Sequence, residues 1–497
     1  MKHAVVIGAG FGGLSAAGYL RRAGYRVTVL EKNSWVGGRA RILSRDGFRF
    51  DMGPSWYWMP EEHDRWFSDM GVRREDYYPV DRVDPSYTVY FGSVVPEENR
   101  NVVVVPSDFE KAKAVFESYE PGAGKRLEEF VAQGREKYDF AMRHFIYKNY
   151  RRLTDMANLT TAKHLGTLNL LSSYRRMIES YFSHPYLKRI LEFPVVFLGS
   201  FAKRTPAVYT LMNYIDFGLG TWYPEGGFGG VVSAMHVVDE ELGATFQFDS
   251  EVTSLEVNDG RVTAVIVNGS KRIEADVVLA NADYPSVELS LLPKKWRTIS
   301  ERTWNRKNLA PAVLNFYIGV KKKLTRYSHH TFFFDADWET HFRNVYEKPQ
   351  WPKEPLFYLH IPSMTDPSCA PDGKEAVFVL IPIAPGLEDS QEIRSRYLDI
   401  ALDRMAARTG EGIRDAIEFV ETYSISDFQR DYNAYKGTAF GLGQTLFQTA
   451  YFRPPNRSGK VRNLYYAGHY TIPGTGTTMS MISGKVAAMR IEEEISP

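Results

Sequence analysis

The chain has 497 residues, of which 44% are hydrophobic and 24% are charged, and its 61 basic side chains almost balance 60 acidic ones. This length predicts two or three structural units, and the net charge of +1 argues against nucleic acid as a partner, because nucleic acid normally requires a basic surface. The single cysteine, Cys369, excludes an intrachain disulfide and a cysteine-rich metal site, and it fits a reducing cytoplasm.

The N-terminal residues predict a βαβ unit and therefore a parallel sheet. The sequence pattern indicates a buried strand at His3–Ile7, a helix at Leu14–Arg22 that is closed by Gly24, and a second strand at Arg26–Leu30. Glycines interrupt the apolar stretch of the first twenty residues, which argues against a signal peptide. No run elsewhere reaches the roughly 18–20 uncharged apolar residues that a membrane span needs.

From Ser107 to Leu219 helical patterns dominate, and the most apolar part of this segment is Tyr186–Phe201, which Pro194 is expected to bend. Two interpretations remain open for this part. It forms a buried core helix with its following loop, or it presents an apolar face that lines a lipid tunnel or dips into a membrane. Basic pairs on either side, Lys188-Arg189 and Lys203-Arg204, suit the second interpretation.

The remaining elements alternate between strands and helices. We predict a helix at Val231–Leu242 after the glycine-rich stretch 226–230, a hairpin of strands 251–257 and 261–267 around Asn258-Asp259-Gly260, strands at Asp276–Ala280, Val313–Gly319 and Ala376–Ile383, and a helix at Gln391–Arg408. His329 and His330 are adjacent, so that in a strand their rings would face opposite sides, and we expect no metal site there.

The strongest chemical signal is Gly8-x-Gly10-x-x-Gly13 followed by Glu31. Gly8 permits a tight turn from strand to helix, Gly10 allows the backbone to approach a pyrophosphate, and Gly13 allows the helix to pack on the sheet. The helix N-terminus adds free N–H donors. Glu31 ends the second strand, where a carboxylate suits a ribose 2′-hydroxyl and disfavours NADP.

Two further segments indicate a flavin dinucleotide. Gly37-Gly38-Arg39 follows the acidic residue, and its glycines allow a turn close to a ligand while Arg39 offers a bidentate contact to a phosphate. This arrangement resembles the glutathione-reductase-like flavoproteins. Near the C-terminus, a strand at 463–467 leads into Gly468-His469, and residues 473–480 open a final helix. This segment resembles the second flavin motif of those proteins, with a helix N-terminus directed at the flavin ring.

The chain most resembles the bacterial-type phytoene (carotenoid) desaturases of the amine-oxidase-like flavoproteins, from Val5 to Ala488. The segments that carry this resemblance are 53–60 (GPSWYWMP), 222–227 (WYPEGG), 281–283 (NAD), 366–371 (DPSCAP), 437–441 (GTAFG) and 448–454 (QTAYFRP). Each segment alone is explicable as a turn or a packed edge, but together the segments are specific to this family.

The resemblance implies an α/β fold, α+β overall: a Rossmann-like FAD-binding domain of the glutathione-reductase type with a discontinuous substrate domain. The FAD-binding domain is expected from residues 1–75, 222–295 and 455–497, a helical, membrane-facing part from 76–221, and a mixed-sheet substrate part from 296–454. The residues expected to bind FAD are Gly8, Ala9, Gly10, Phe11, Gly12, Gly13, Glu31, Lys32, Gly38, Arg39, Gly53, Pro54, Ser55, Val252, Gly468, His469, Gly476, Thr477, Thr478 and Met479.

The expected activity is FAD-dependent desaturation of phytoene or a related polyene, by hydride transfer from an allylic methylene to flavin N5 and proton loss from the adjacent carbon. His469 is a candidate proton acceptor, although many relatives outside the desaturases carry Asp there. Expected partners are the polyene, a membrane surface, and quinone or oxygen as electron acceptor, at the cytoplasmic face of the cell membrane. One alternative is a different substrate, either a C30 or a hydroxylated carotenoid. The others are a different activity on the same fold: a carotenoid isomerase, an amine oxidase or, as the least favoured, a non-enzymatic prenyl chaperone.

Overall fold

The computed structural model describes residues 1–92, 101–150 and 172–496, except for the side chain of Phe197, so that part of the predicted helical segment, 151–171, lies outside the described residues. The strands are β1 His3–Ile7, β2 Arg26–Leu30, β3 Ile42–Arg45, β4 Phe48–Asp51, β5 Val80–Arg82, β6 Tyr87–Phe91, β7 Val102–Val105, β8 Trp222–Pro224, β9 Thr245–Gln247, β10 Val252–Asn258, β11 Arg261–Val267, β12 Lys271–Glu274, β13 Val277–Ala280, β14 Ala312–Val320, β15 His330–Phe334, β16 Phe357–His360, β17 Glu375–Ile383, β18 Ile417–Tyr423 and β19 Leu464–Tyr466. The helices are α1 Phe11–Arg22, α2 Pro60–Met70, α3 Phe109–Tyr119, α4 Ala123–Ala141, α5 Tyr174–Glu179, α6 Pro185–Glu192, α7 Leu211–Tyr214, α8 Gly227–Glu241, α9 Tyr284–Ser286, α10 Glu301–Trp304, α11 Trp338–Tyr346, α12 Gln391–Thr409, α13 Ile425–Tyr432 and α14 Thr477–Glu494.

A five-stranded parallel sheet in the order β19-β13-β1-β2-β9 forms the first layer. All residues of β1 and β13 are buried, as expected for a parallel sheet that is covered on both faces. Its strands come from three separate stretches of the chain, and all of them lie within the three segments that we assigned to the dinucleotide domain.

A seven-stranded mixed sheet in the order β18-β14-β17-β16-β15-β6-β7 forms the second large layer. Its neighbours are antiparallel except for β15 and β6. The strands β6 and β7 come from the part that we predicted to be helical, residues 76–221, and they extend the sheet whose other strands come from residues 296–454. The predicted helical part therefore also contributes strands to the mixed sheet.

Most predicted elements agree with the structure to within one or two residues, and the exceptions are two helices that begin early. Helix α1 begins at Phe11 instead of Leu14, and α8 begins at Gly227 instead of Val231. Neighbouring elements pack closely against the glycines at the start of α8: a Cβ atom at Gly229 would lie 2.1 Å from Cγ1 of Ile42. The glycine run is thus a packing surface, whereas glycine propensity had led us to begin the helix after it, at Val231.

The apolar segment 186–201 is largely buried in the core, as the first of its two interpretations expects, although Leu198 also lines the cavity described below, as the second expects of a tunnel wall. Leu187, Ile190, Leu191 and Val195 are each 0% exposed. An apolar face that dips into a membrane is therefore wrong for these residues, since their side chains already pack in the protein interior. Among the described residues, no helix is both long and apolar enough to cross a membrane.

The two ends of the chain meet where α1 packs against α14. A Cβ atom at Gly484 would lie 2.3 Å from the carbonyl oxygen of Gly12, and one at Gly12 would lie 2.4 Å from Oδ1 of Asn281. Asn281 follows β13 and donates from Nδ2 to the carbonyl oxygen of Gly8 at 3.3 Å. Close backbone contact at this junction thus requires glycine in both helices.

Replacing Gly484 by Ala should destabilise this junction by about 1–3 kcal/mol, because the added methyl group collides with main-chain atoms that cannot rotate away. The midpoint of thermal unfolding measures the effect. Gly412→Ala is the control, since Gly412 is exposed and its Cβ would meet only the Cβ of Ala406, at 3.3 Å. Equal unfolding midpoints for the two variants would contradict the close-packing argument.

Candidate cofactor and substrate site

A cavity of about 640 Å³ lies between the two large sheets and is the setting of the predicted site. Its wall contains every predicted cofactor residue except Ala9 and Gly13. Ala9 donates its N–H to Oε2 of Glu31 at 2.9 Å, and Gly13 packs against the carbonyl oxygen of Gly8. Residues that are hundreds of positions apart in the sequence, such as Gly10 and Thr477, thus border one space.

The N-terminus of α1 borders the cavity beside the turn at 37–39. Gly10 is the N-cap of α1, and Gly8 just before it has a φ of +95°. A Cβ atom at Gly38 would meet only the Cα of Gly10, at 3.7 Å, so that open space adjoins the turn, whereas one at Gly10 would lie 3.1 Å from Nδ2 of Asn281. The unpaired N–H groups of a helix N-terminus suit an anion such as a pyrophosphate.

Glu31 is held rigidly at the end of β2, where it is 5% exposed. Its Oε2 accepts from the N–H of Ala9 at 2.9 Å, and its Oε1 accepts from both the main-chain N–H and Nδ2 of Asn33 at 2.9 Å. The neighbouring Lys32 forms an ion pair with Glu251 at 3.5 Å, next to Val252 in the cavity wall. Glu31 therefore has a fixed position from which to accept a ligand hydroxyl.

Arg39 supplies a cation at the same end of the cavity. Its Nη2 donates to the carbonyl oxygen of Thr438 at 3.3 Å, and its buried Nε has no hydrogen-bond partner among the described residues. A buried donor without a partner is costly, and a phosphate oxygen would satisfy it. The donors at Arg39 and at the α1 N-terminus thus fit the anionic part of a dinucleotide.

The N-terminus of α14 forms a second wall. Gly476 is its N-cap with a φ of +122°, and a Cβ atom there would meet only Cγ of Met479, at 3.9 Å. The first residues of the helix, Thr477 and Thr478, line the cavity, and Thr478 donates from Oγ1 to the carbonyl oxygen of Trp58. This end of the helix favours negative charge, which suits a flavin that gains electrons.

His469 lies in the cavity wall, and its Nε2 has no hydrogen-bond partner among the described residues. Burial lowers the pKa of His469 well below its usual value, and the cations Arg39 and Arg453 lower it further. The ring is therefore neutral. The positive charge on two neighbours opposes its protonation, so its position suits a hydrogen bond to the cofactor better than it suits proton acceptance.

Arg453 organises the loop that carries His469, a role that sequence reasoning missed. The buried guanidinium donates to the carbonyl oxygens of His469, Tyr470 and Thr471, and also to Gln444 and Gln448. Burial lowers the pKa of Arg453 to about 10. The segment 448–454 had indicated the family, but nothing in it indicated that its arginine would face this loop.

Much of the rest of the cavity wall is apolar and aromatic. Trp58, Tyr138, Phe145, Tyr209 and Tyr358 belong to this part of the wall, and none of them was a predicted site residue. They come from β16 and from helical and loop segments that no local motif connects. The cavity therefore combines a polar end, built from the glycine motifs, with an apolar end that suits a hydrocarbon ligand.

The fold and these two helix N-termini define a flavin-dinucleotide protein. The family described as flavin containing amine oxidoreductase matches residues 11–492. The chain is 42% identical to carotenoid 3,4-desaturase from Haloarcula japonica, over 99% of this chain and 98% of that protein. It is 32% identical to zeta-carotene-forming phytoene desaturase from Myxococcus xanthus, over 99% of this chain and 94% of that protein.

Among solved structures, putrescine oxidase bound to putrescine superimposes with a TM-score of 0.63 at 16% identity, over 99% of each chain, and this likeness concerns the fold. The chain belongs to the flavin-containing amine oxidoreductases and, among them, to the carotenoid desaturases. The predicted family, the α/β fold class and FAD as cofactor are thereby confirmed. The individual cofactor contacts and the domain boundaries stay predictions.

Replacing Arg453 by Lys should weaken both folding and FAD retention. Lysine keeps the charge but lacks the planar fork, and losing hydrogen bonds to buried carbonyl oxygens costs about 2–3 kcal/mol. Thermal unfolding and the dissociation constant of FAD from reconstituted apoprotein measure the two effects. Arg457→Lys is the control, because Arg457 is partly exposed and pairs with Glu494. Unchanged FAD affinity in Arg453→Lys would show that the loop does not depend on this guanidinium.

Proposed function

We propose that this chain desaturates a long apolar polyene of the carotenoid type in carotenoid biosynthesis. The observation that carries the proposal is the single cavity in which the predicted FAD residues form one end and aromatic residues form the other. A polyene has no charged group for a protein to bind, so an apolar wall is what its recognition requires.

When it is bound, FAD supplies the hydride acceptor for an allylic C–H bond. The protein aligns the reacting methylene, excludes water and stabilises the charge that develops. Aromatic residues such as Trp58 and Tyr138 confine the chain of the substrate, and the N-terminus of α14 offers N–H groups to negative charge. His469 is a proposed cofactor contact, and it stays a candidate proton acceptor.

Among carotenoid reactions, 3,4-desaturation is our first proposal because the Haloarcula relative that carries this name is 42% identical, against 32% for the Myxococcus phytoene desaturase. Phytoene and a C30 polyene are the alternative substrates. An amine oxidase with FAD linked through cysteine is not favoured, since Cys369 lies outside the cavity wall, buried against Tyr223.

We also propose that the enzyme collects its substrate at a membrane surface, near residues 446–452. Leu446, Phe447 and Phe452 are 38%, 72% and 41% exposed, and both Leu446 and Phe452 line the cavity. The cavity therefore opens beside exposed apolar side chains. The exposed Arg143 and Lys148 flank cavity-lining residues on another side, and basic residues beside an apolar patch suit an anionic bilayer.

Purified protein with FAD, incubated with carotenoids in liposomes, should convert a substrate with single bonds at C3–C4 into a product of longer-wavelength absorption. Quinone and oxygen should be tested separately as electron acceptors. Phytoene and a C30 polyene form the comparison set, and product spectra identify the preferred substrate. Absence of any desaturated product with all three substrates and both acceptors would contradict the proposed function.

Replacing Phe447 by Glu should weaken binding to anionic liposomes about tenfold or more, because it removes an inserting ring and adds a repelled charge. Liposome co-sedimentation measures this effect. Val237→Glu is the control, since Val237 is 43% exposed but does not line the cavity. An equal loss of liposome binding in both variants would show that the effect comes from the added charge alone and not from the apolar patch at 446–452.

A further inference from the structure

Polyene desaturation requires a group that accepts a proton from the carbon next to the one that loses hydride. A polyene cation is a very strong acid, so the acceptor need only be neutral, correctly placed and poorly hydrated. His469 meets these conditions badly, because Arg39 and Arg453 act on it. The apolar end of the cavity offers a different set of side chains.

Ser55, Tyr358 and His330 form a hydrogen-bonded set at the cavity wall. The hydroxyl of Tyr358 lies 2.8 Å from Oγ of Ser55 and 2.7 Å from Nδ1 of His330. Ser55 and Tyr358 both line the cavity, and His330 is 0% exposed behind them. Because Ser55 belongs to the predicted cofactor segment 53–55, the Tyr358 hydroxyl lies where the polar and apolar parts of the cavity meet.

The surroundings of His330 contain a stacked aromatic ring, whereas those of His469 contain two arginines. The ring stacks on the indole of Trp56, with centroids 4.0 Å apart and planes 11° apart. An aromatic face attracts a cation that lies over it. Burial, together with His329 and His360, lowers the pKa of His330 well below its usual value, so the ring starts neutral. No arginine or lysine is among the groups that lower it.

His329 and His360 lie beside this set, although Nε2 of His330 has no hydrogen-bond partner among the described residues. Our expectation that His329 and His330 face opposite sides of a strand is wrong, because His329 precedes β15, and both histidines lie beside His360 with ring nitrogens within 4.8 Å. His360 and His329 share a hydrogen bond of 3.0 Å between their Nε2 atoms, and Nδ1 of His329 lies 2.7 Å from Oγ1 of the partly exposed Thr365.

Resting on the polyene desaturation proposed above, we propose that Tyr358 is the catalytic proton acceptor and that His330 is the positioning residue through which it acts. After hydride has left for FAD, the adjacent C–H bond breaks and its electron pair forms the new C=C bond. The proton goes to the oxygen of Tyr358 as the phenol's own proton passes to Nδ1 of His330. The positive charge of the substrate thus ends on the imidazole ring of His330.

Tyr358→Phe and His330→Asn test this assignment. The first removes the hydroxyl, while the second keeps a hydrogen-bonding amide beside Tyr358 that cannot take up a proton. Both should slow product formation about 10²- to 10⁴-fold. The control is Tyr397→Phe, which removes a buried hydroxyl that donates to Pro352, away from the cavity wall, and should keep the wild-type rate.

Isotope effects and binding separate a chemical role from a structural one. Substrate deuterated at the proton-losing carbon should react more slowly than unlabelled substrate in both variants and not in the wild type. Polyene binding to the apoprotein, followed by tryptophan fluorescence, should be unchanged.

Wild-type rates in either variant, or slow rates without the new isotope effect, would overturn the assignment. If His330→Asn does not fold, Tyr358→Phe decides alone. A wild type that forms no product would instead refute the underlying desaturase function.

Discussion

Close contact between the backbones of α1 and α14 holds the two ends of the chain together, and the cavity depends on it. Gly12 and Gly484 make this contact possible because a Cβ on either would overlap atoms of the other helix or of Asn281. The contact brings the N-termini of two helices to one space although they are separated by more than four hundred residues in sequence. A cofactor with a pyrophosphate at one end and a redox ring at the other suits such an arrangement.

Charge is distributed unevenly around this cavity, so that the part that suits anions is separated from the part that we propose accepts a proton. Arg39 and Arg453 act on the end that the glycine motifs build, where they favour anions and keep His469 neutral. Another part of the cavity is aromatic, and Ser55 and Tyr358, which are hydrogen-bonded to each other, lie where the two parts meet. A hydride acceptor and a proton acceptor can therefore work at neighbouring places without competing for the same electrostatic environment.

The errors of sequence interpretation share a cause, which is that local patterns do not report close packing between distant elements. We predicted that the helix begins at Val231, after the glycines, yet Gly227–Gly230 belong to it and Ile42 packs against Gly229. For the apolar stretch 186–201 the sequence left two interpretations open, and only the structure showed that Leu187 and Ile190 are buried in the core while Leu198 lines the cavity. The histidine pair was judged by strand alternation, although His329 lies before the strand begins.

The sequence alone determined the dinucleotide fold, the cofactor class and nearly all of the residues that now line its predicted end of the cavity. It could do so because glycine spacing, a strand-ending acid and helix starts are local requirements of binding a pyrophosphate. Only the tertiary structure placed Arg453 on the His469 loop, Tyr358 beside Ser55, and the exposed side chains of Leu446 and Phe452 in the cavity wall. Those contacts join segments far apart in the chain, and no local periodicity encodes which distant side chains will meet.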